Sequence, residues 1–568
     1  MKKKFLLPLF LVFSILFFVL VVSFFGQNGP QEAWVVQYNG PGDGFDAANR
    51  IATDTNSNVY VTGASSGIDT GNDITTLKYN KNGSLLWVAR YNGPGNGDDG
   101  GTGIVLDGEN NVYVTGYSFG SDTDRDYVTI KYDSNGNVIW IRRYNGRGNQ
   151  KDTPAAIAID SGDNVIITGA SYGGFYRHYD CVTVKYDSNG NVVFISEYDN
   201  GIGHYDEGRS VALDDLGNIY ITGSTHTGAA SWFDWLTIKY DSDGNKIWSR
   251  TFDSGQWPSM DYAHDIVLDK NGNCYVTGEV DLRASGPSGL DIGTIKYDSN
   301  GNEIWVRYYT RYSNFHDIPV AIVVDENSNI YVTGFSSCYE TKCDFVTIKY
   351  DSNGNELWVQ IYTGPGKSND YPANIVLDKY GNIYVTGDSP GLTSRDSATV
   401  KYDPYGNEIW VSRHNELYPN DITLDIFANV YITGRLFNPS SDYDYVTVKY
   451  SDFIEVDIDI KPGSDPNSIN LGSQGNVPVA IFSTLGFDAT AIDPITVTLA
   501  GTSVKLKGKG TPMSSFEDIN GDGLLDIIVH FDTTTLELSE GDTEAILEGE
   551  TYKGTRIRGI DTVKIVNE

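Results

Sequence analysis

From Gly103 to Trp140 the chain reads GIVLDGENNVYVTGYSFGSDTDRDYVTIKYDSNGNVIW. Ile104 and Leu106 alternate in a short run, Asp107 to Asn111 forms a turn, and Val112 to Thr115 is a second alternating run closed by Gly116. Alternation of this kind marks strands. Val128 to Tyr132 makes a third. The turn Asp133-Ser134-Asn135-Gly136-Asn137, whose Asn-Gly step supplies the positive backbone angles of a tight hairpin, leads into a fourth strand carrying Ile139 and Trp140. Such a four-stranded sheet cannot bury both faces alone and must pack against copies of itself.

The copies are present. The unit, about fifty residues long, is written eight times, with its Thr-Gly step at Gly63, Gly116, Gly169, Gly223, Gly278, Gly334, Gly387 and Gly434. Its Lys-Tyr step falls at Tyr79, Tyr132, Tyr186, Tyr240, Tyr297, Tyr350, Tyr402 and Tyr450. The pattern predicts an all-β protein built on an eight-bladed β-propeller; seven blades would require one unit to be expelled. The chain enters the array on a fourth-strand sequence, Trp34 to Tyr38, and the eighth unit ends at Ser451-Asp452-Phe453 without that strand. Residues 34–38 are therefore expected to complete the last blade and leave no free sheet edge.

These motifs closely resemble the SBBP-type β-propeller repeat, which recurs in tandem in exported prokaryotic proteins, and the resemblance covers residues 34–450. It implies a scaffold rather than any one activity. The chain departs from the pattern in its eighth copy and at Phe194, which stands where the repeat has Trp.

Lys2, Lys3 and Lys4 precede an unbroken apolar stretch from Phe5 to Phe25. Residues 1–26 thus read as an export signal or an uncleaved N-terminal membrane anchor, with everything beyond them outside the cytoplasm. The propeller is assigned to 27–452 and a separate domain to 453–568. A formal charge of −34 argues against nucleic acid as a partner. Much of that charge serves turns: Asp54, Asp107, Asp160, Asp214, Asp269, Asp325, Asp378 and Asp425 stand between first and second strands, with pairs such as Asp107 and Lys131 as internal supports. Of four cysteines, Cys338 and Cys343 flank one loop and are expected to form a disulfide, while Cys181 and Cys274 read as buried thiols.

Function on a repetitive scaffold belongs where copies differ. The loops joining strands two to three and four to one share one face, and His178, His204, His226, His264, His316 and His414 fall on or beside them. Phe175, Tyr176, Tyr205, Trp232, Phe233, Trp235, Trp257, Tyr262 and Phe315 lie there too. Rings with polar neighbours suit stacking on sugars or docking of a protein, so the expected partner is an extracellular glycan or surface protein, held by His178, His204, His226, His264, His316, Trp232, Trp235 and Trp257. Asp46, Asp99, Asp152, Asp206, Asp261, Asp317 and Asp370 could ring the channel mouth on the same face as a cation or glycan site, or each could close its own loop. The alternative is a secreted polysaccharide-active hydrolase or lyase using the same face. No G-x-S-x-G elbow, H-E-x-x-H helix or phosphate loop is present, and no catalytic set is assigned.

Beyond Tyr450 the statistics change. Alternation at 456–460 and apolar runs at 477–482, 495–499, 527–531 and 563–566 predict a small β-sandwich. IDIKPGSDPNSIN, NVPVAI and EDINGDGLLD resemble an accessory module found at the C-termini of secreted prokaryotic proteins, which implies attachment or stabilisation. Asp518, Asn520, Asp522 and Asp526 place oxygens at positions one, three, five and nine of a calcium loop. Gly523 permits the turn, Leu524 offers its carbonyl, and Val529 stands where an EF-hand has Glu. The expected cofactor is Ca2+, with one more ligand from Glu517 or another carboxylate.

Overall fold

The structure, a computed structural model, describes residues 29–566 apart from 175–177, 202–203, 228–232, 256–259, 283–288, 313–314, 339–341, 393, 509 and 554. The N-terminal apolar segment, Phe175, Tyr176, Trp232 and Trp257 lie outside the described residues. The chain is all-β. Among the described residues, eight four-stranded antiparallel sheets succeed one another through the repeat. Blade one consists of Asp46–Thr53, Val59–Ser66, Asn72–Tyr79 and Leu85–Tyr91, and the later blades repeat this order. The eighth sheet takes its outer strand from the start of the chain: Gln31–Tyr38 runs antiparallel to Asp442–Ser451, with Tyr38 opposite Tyr445. First and last sheets touch, since Ile51 N donates to Asp421 Oδ2 at 3.0 Å and Tyr445 OH donates to the Thr75 carbonyl at 3.2 Å.

The repeated letters now have physical causes. In the first turn of blade two, Asp107 Oδ1 accepts from the backbone N–H of Glu109 and Asn111, while Oδ2 faces Lys131 Nζ at 3.6 Å. The same lysine reaches into the next blade and donates to the Ser188 carbonyl at 3.2 Å, which also accepts from Trp140 Nε1 at 3.1 Å. Lys and Trp clamp the following hairpin in the same way in blades one, four, five and six, whereas in blade seven Lys401 pairs with Asp452. Gly190 in the hairpin of Ser188 has φ +81° and lies flat under the Trp140 ring, where a Cβ would come within 2.8 Å. Phe194 keeps its place over Gly244 but brings no N–H, and Lys185 alone holds the Ser242 carbonyl, at 3.1 Å.

The Thr-Gly step answers a different need. Every inner strand carries a bulge, as between Ala48 and Arg50 or between Gly208 and Ser210. The bulge pushes an inner-strand carbonyl, that of Ala47 or Glu207 for example, into the space a Cβ would occupy on Gly63 or Gly223. Apolar layers between blades supply the burial. Tyr60 and Ile74 of blade one pack with Val112, Val114, Val128, Ile130 and Tyr132 of blade two, each side chain contributing about 1.5–3 kcal/mol.

In the C-terminal region a five-stranded and a four-stranded sheet enclose one core containing Ile460, Val479, Leu499, Phe531, Leu547 and Ile557, the arrangement of a β-sandwich. It rests on the first-turn face of blade eight. The Arg558 guanidinium stacks 3.9 Å over the Phe453 ring and donates to the Phe427 carbonyl. Glu455 accepts from Asn429 Nδ2 at 2.7 Å and pairs with Lys449 at 2.8 Å, which holds its carboxyl below the usual range despite burial.

The cysteine expectation divides. Cys181 and Cys274 are buried free thiols, with burial pushing Cys181 up to about 12. Cys343 is also a free thiol, so the expected 338–343 disulfide is not formed. The hairpin register sets Ser337 opposite Cys343 and Cys338 opposite Lys342, one step out of line for a bridge.

Candidate functional site

The two-to-three and four-to-one loops share the face opposite the sandwich, and on blades three to five they bring rings together. Tyr172 meets Tyr179 at 5.5 Å between centroids, and Tyr179 stacks on Tyr205 at 5.5 Å. His178, at φ +55°, stacks on the same Tyr205 at 5.0 Å. Tyr205 continues to Phe233 at 6.3 Å, and Phe233 to Tyr262 at 5.0 Å. His226 meets the Phe233 edge at 6.0 Å and His204 at 5.0 Å. Isolated backbone bridges, Tyr179 to Tyr205 and Phe233 to Met260, hold this seam in place. Tyr205 and Met260 remain 42% and 39% exposed.

Sequence reasoning missed Tyr172, Tyr179 and Met260. A signal for two of them exists in the repeat register. Tyr179 and Phe233 precede Asp180 and Asp234 at the start of a third strand, and Tyr205 and Met260 precede Asp206 and Asp261 of the loop-aspartate series. At the same two positions polar residues such as Asn72, Asp98, Arg125, Lys151 and Asn369 stand in other blades, while Phe45 and Tyr443 form a similar pair, 6.0 Å apart, between blades eight and one. Apolar side chains at equivalent loop positions of neighbouring blades must fall side by side.

The other expected ligand-binding residues are placed elsewhere. Trp235 is 1% exposed and belongs to the core: its ring packs on Phe252 at 5.2 Å and Nε1 donates to the Glu279 carbonyl at 2.9 Å. It occupies the inward position that Tyr127 fills in blade two, so strand alternation turns it away from ligand. His264 sits at the bulge of an inner strand, with Nε2 2.8 Å from Glu279 Oε1, and lines the central channel with Arg50, Arg209, Asn374 and Asn420. His316 accepts from Leu290 N through Nδ1 at 3.2 Å in the loops of blade six, and His414 lies at the outer edge of blade seven near Glu32.

The loop aspartates are corrected too. Asp46, Asp99, Asp152, Asp206, Asp261, Asp317 and Asp370 are all fully buried, so they do not line the channel mouth. Asp152 shows why: Oδ2 accepts from Gly146 N at 2.7 Å and Oδ1 from Tyr172 N at 3.0 Å, tying a four-to-one loop to a two-to-three loop. Each closes its own loop pair. Burial pushes Asp152, Asp261, Asp317 and Asp370 up to about 6, and raises Asp46, Asp99 and Asp206.

In the sandwich, Asp518 accepts from Gly521 N at 2.8 Å and Gly523 N at 3.0 Å, which curls the loop around its own carboxylate. Gly521 and Gly523 take φ +77° and +88°. Asn520 and Asp522 are exposed, whereas Asp526 is buried and accepts from Ile519 N and Ser483 N. Asn520, Asp522 and Leu524 line one hollow together with Asp457. This oxygen-only donor set fits a hard cation such as Ca2+. Glu517 is exposed and pairs with Asp526 in the strand register, whereas Asp457 shares the hollow with Asn520 and Asp522.

Sheets packed in series around an inner-strand channel define a β-propeller. The family model of the SBBP beta-propeller repeat matches at three places, residues 201–228, 304–337 and 357–391. No curated protein matches the chain in sequence. Among solved structures, the Dos1 propeller is 11% identical over 74% of this chain and 94% of its own, with a TM-score of 0.45. The polysaccharide lyase Uly1 is 11% identical over 62% and 90%, with a TM-score of 0.40. A PL25 ulvan lyase is 12% identical over 61% and 91%, with a TM-score of 0.37.

Proposed function

We propose that this chain is an exported, surface-associated binding module that recognises a glycan or surface protein along the aromatic and histidine seam of blades three to five. The observation that carries this reading is the run of rings from Tyr172 to Tyr262 across consecutive blades, with Tyr205 open to solvent. Flat apolar faces edged by imidazoles suit the alternating CH and OH surfaces of a sugar chain. The sandwich rests on the opposite face and leaves the seam accessible.

The test is an array of glycans and envelope polymers probed with the full chain, with bound material checked for cleavage. Tyr205→Ala and Phe233→Ala should each weaken capture roughly tenfold, the loss of one stacking ring, while melting stays within a few degrees. Equal capture by both variants removes the seam from the reading. Cleaved products would move the polysaccharide-active alternative to first place.

The C-terminal loop is proposed to hold Ca2+ through Asp518, Asn520, Asp522, the Leu524 carbonyl and Asp526, with Asp457 as the added ligand. The ion would neutralise carboxylates that the loop crowds together. At a hundredfold excess over its Kd, calcium should stabilise the sandwich by about 2.7 kcal/mol, a rise in Tm on the order of 10 °C for a domain of this size. Asp518→Asn combined with Asp522→Asn should abolish the rise in calorimetry. A wild-type transition indifferent to calcium and chelator would exclude the ion.

A further inference from the structure

We infer that His204 and His226 form a binding site for a zinc-class divalent cation at the junction of blades three and four. His204 lies on the loop between those blades, His226 on the two-to-three loop of blade four. Their ring centroids are 5.0 Å apart, and the Nδ1 atoms of both are shut off from solvent without a hydrogen-bond partner among the described residues. A buried imidazole nitrogen normally finds a donor or acceptor, and two adjacent exceptions call for a common ligand. Borderline divalent ions favour imidazole nitrogen.

The spacing fits. With a zinc–nitrogen bond of about 2.1 Å and each ring nitrogen about 1.15 Å from its centroid, two imidazoles on one tetrahedral ion place their centroids about 5.3 Å apart. The loops are pinned before any ion arrives: His226 N donates to the Tyr205 carbonyl at 2.9 Å, Asn200 Nδ2 to the His226 carbonyl at 3.4 Å, and His204 N to the Gly201 carbonyl at 3.3 Å. Two protein nitrogens fill half of a tetrahedral shell and leave two positions to be completed by oxygen ligands that enter with the ion. Ion binding here is independent of glycan or protein recognition, because the ion is measured alone.

The experiment is a zinc chloride titration of the full-length chain, free of any histidine tag and saturated with calcium, followed by calorimetry. Cobalt substitution reports the coordination geometry. One ion per chain is expected with micromolar or tighter affinity, and the cobalt form should show the visible absorption of a four-coordinate centre. His204→Gln and His226→Gln should each weaken binding at least tenfold with unchanged melting, while His178→Gln, whose ring is stacked on Tyr205, should bind as wild type. Zinc affinity that is absent in the wild type, or equal in the His204 and His226 variants, overturns the site. Loss through Asp518→Asn instead would assign the ion to the sandwich and equally overturn it.

Discussion

A chain lacking residues 31–38 should lose at least 10 °C of thermal stability and associate through its eighth blade. Trp34 sits between Tyr431 at 5.8 Å and Tyr79 at 6.5 Å, and its Nε1 donates to the Lys81 carbonyl in the hairpin of blade one at 3.0 Å. This short strand thus repeats the Trp clamp and joins the last sheet to the first. Val36 and Tyr38 add to the same core, next to Tyr445. Trp34, Val35, Val36 and Tyr38 are half-buried, so at roughly half of the 1.5–3 kcal/mol of a fully buried side chain the strand contributes about 3–6 kcal/mol, a large part of the 5–15 kcal/mol net stability of an ordinary domain. Its removal also uncovers the backbone edge of Asp442–Ser451, an invitation to intermolecular pairing. Calorimetry and gel filtration of the deletion, alongside Trp34→Ala with an expected loss of about 3–5 kcal/mol, provide the check. Wild-type melting of both would show that the blades hold without the latch.

Thermal stability should peak at mildly acidic pH and fall toward pH 8. Burial makes Asp152, Asp261, Asp317 and Asp370 titrate at about 6 in the fold, against 3.8 for the free side chain. Between those values the folded chain holds protons that the unfolded chain has released. Stability from these groups is therefore complete below about pH 4, declines through the window and is gone above about pH 7. At about 1.4 kcal/mol for each tenfold gain in proton affinity on folding, and allowing half for water that reaches the loops, the four are worth on the order of 5 kcal/mol. The hairpin aspartates act in the opposite sense. Asp133, Asp187, Asp241, Asp298, Asp351 and Asp403 lie below 3.8 because Asn side chains and turn amides donate to them, and their support is lost as pH falls under that value. Together they place the optimum at about pH 4–5. Melting curves from pH 3.5 to 8.5 test this, and Asp317→Asn should flatten the slope by its share. A Tm that rises steadily from pH 4.5 to 8 would contradict the assignment.

The two aspartate series show where sequence reading reaches its limit. Asp107 could be placed correctly because its partners Glu109, Asn111 and Tyr113 all lie within six residues of it in sequence. Asp152 could not, because its carboxylate is divided between amides 6 residues before it and 20 after it, and only the folded loops show that both oxygens are already occupied. The loop proposed to hold Ca2+ could be picked out for the same reason as Asp107, since the side chains that define it lie within nine residues. Asp457, which lines the same hollow as Asn520 and Asp522, could not, since it lies some sixty residues earlier in sequence.

By itself the sequence determined the repeat, its strands and turns, the β-propeller architecture and the strand held back at the N-terminus, because period-two alternation, Asn-Gly hairpins and close-approach glycines are local demands of the backbone. Only the tertiary structure decided which distinctive side chains share a surface. It buried Trp235, sent His264 to the channel, left Cys343 a free thiol, and gathered Tyr179, Tyr205, Phe233, His204 and His226 into one seam. The physical reason is that a loop residue's neighbours come from adjacent blades, and the direction of each side chain depends on strand register, bulges and packing that no single repeat contains.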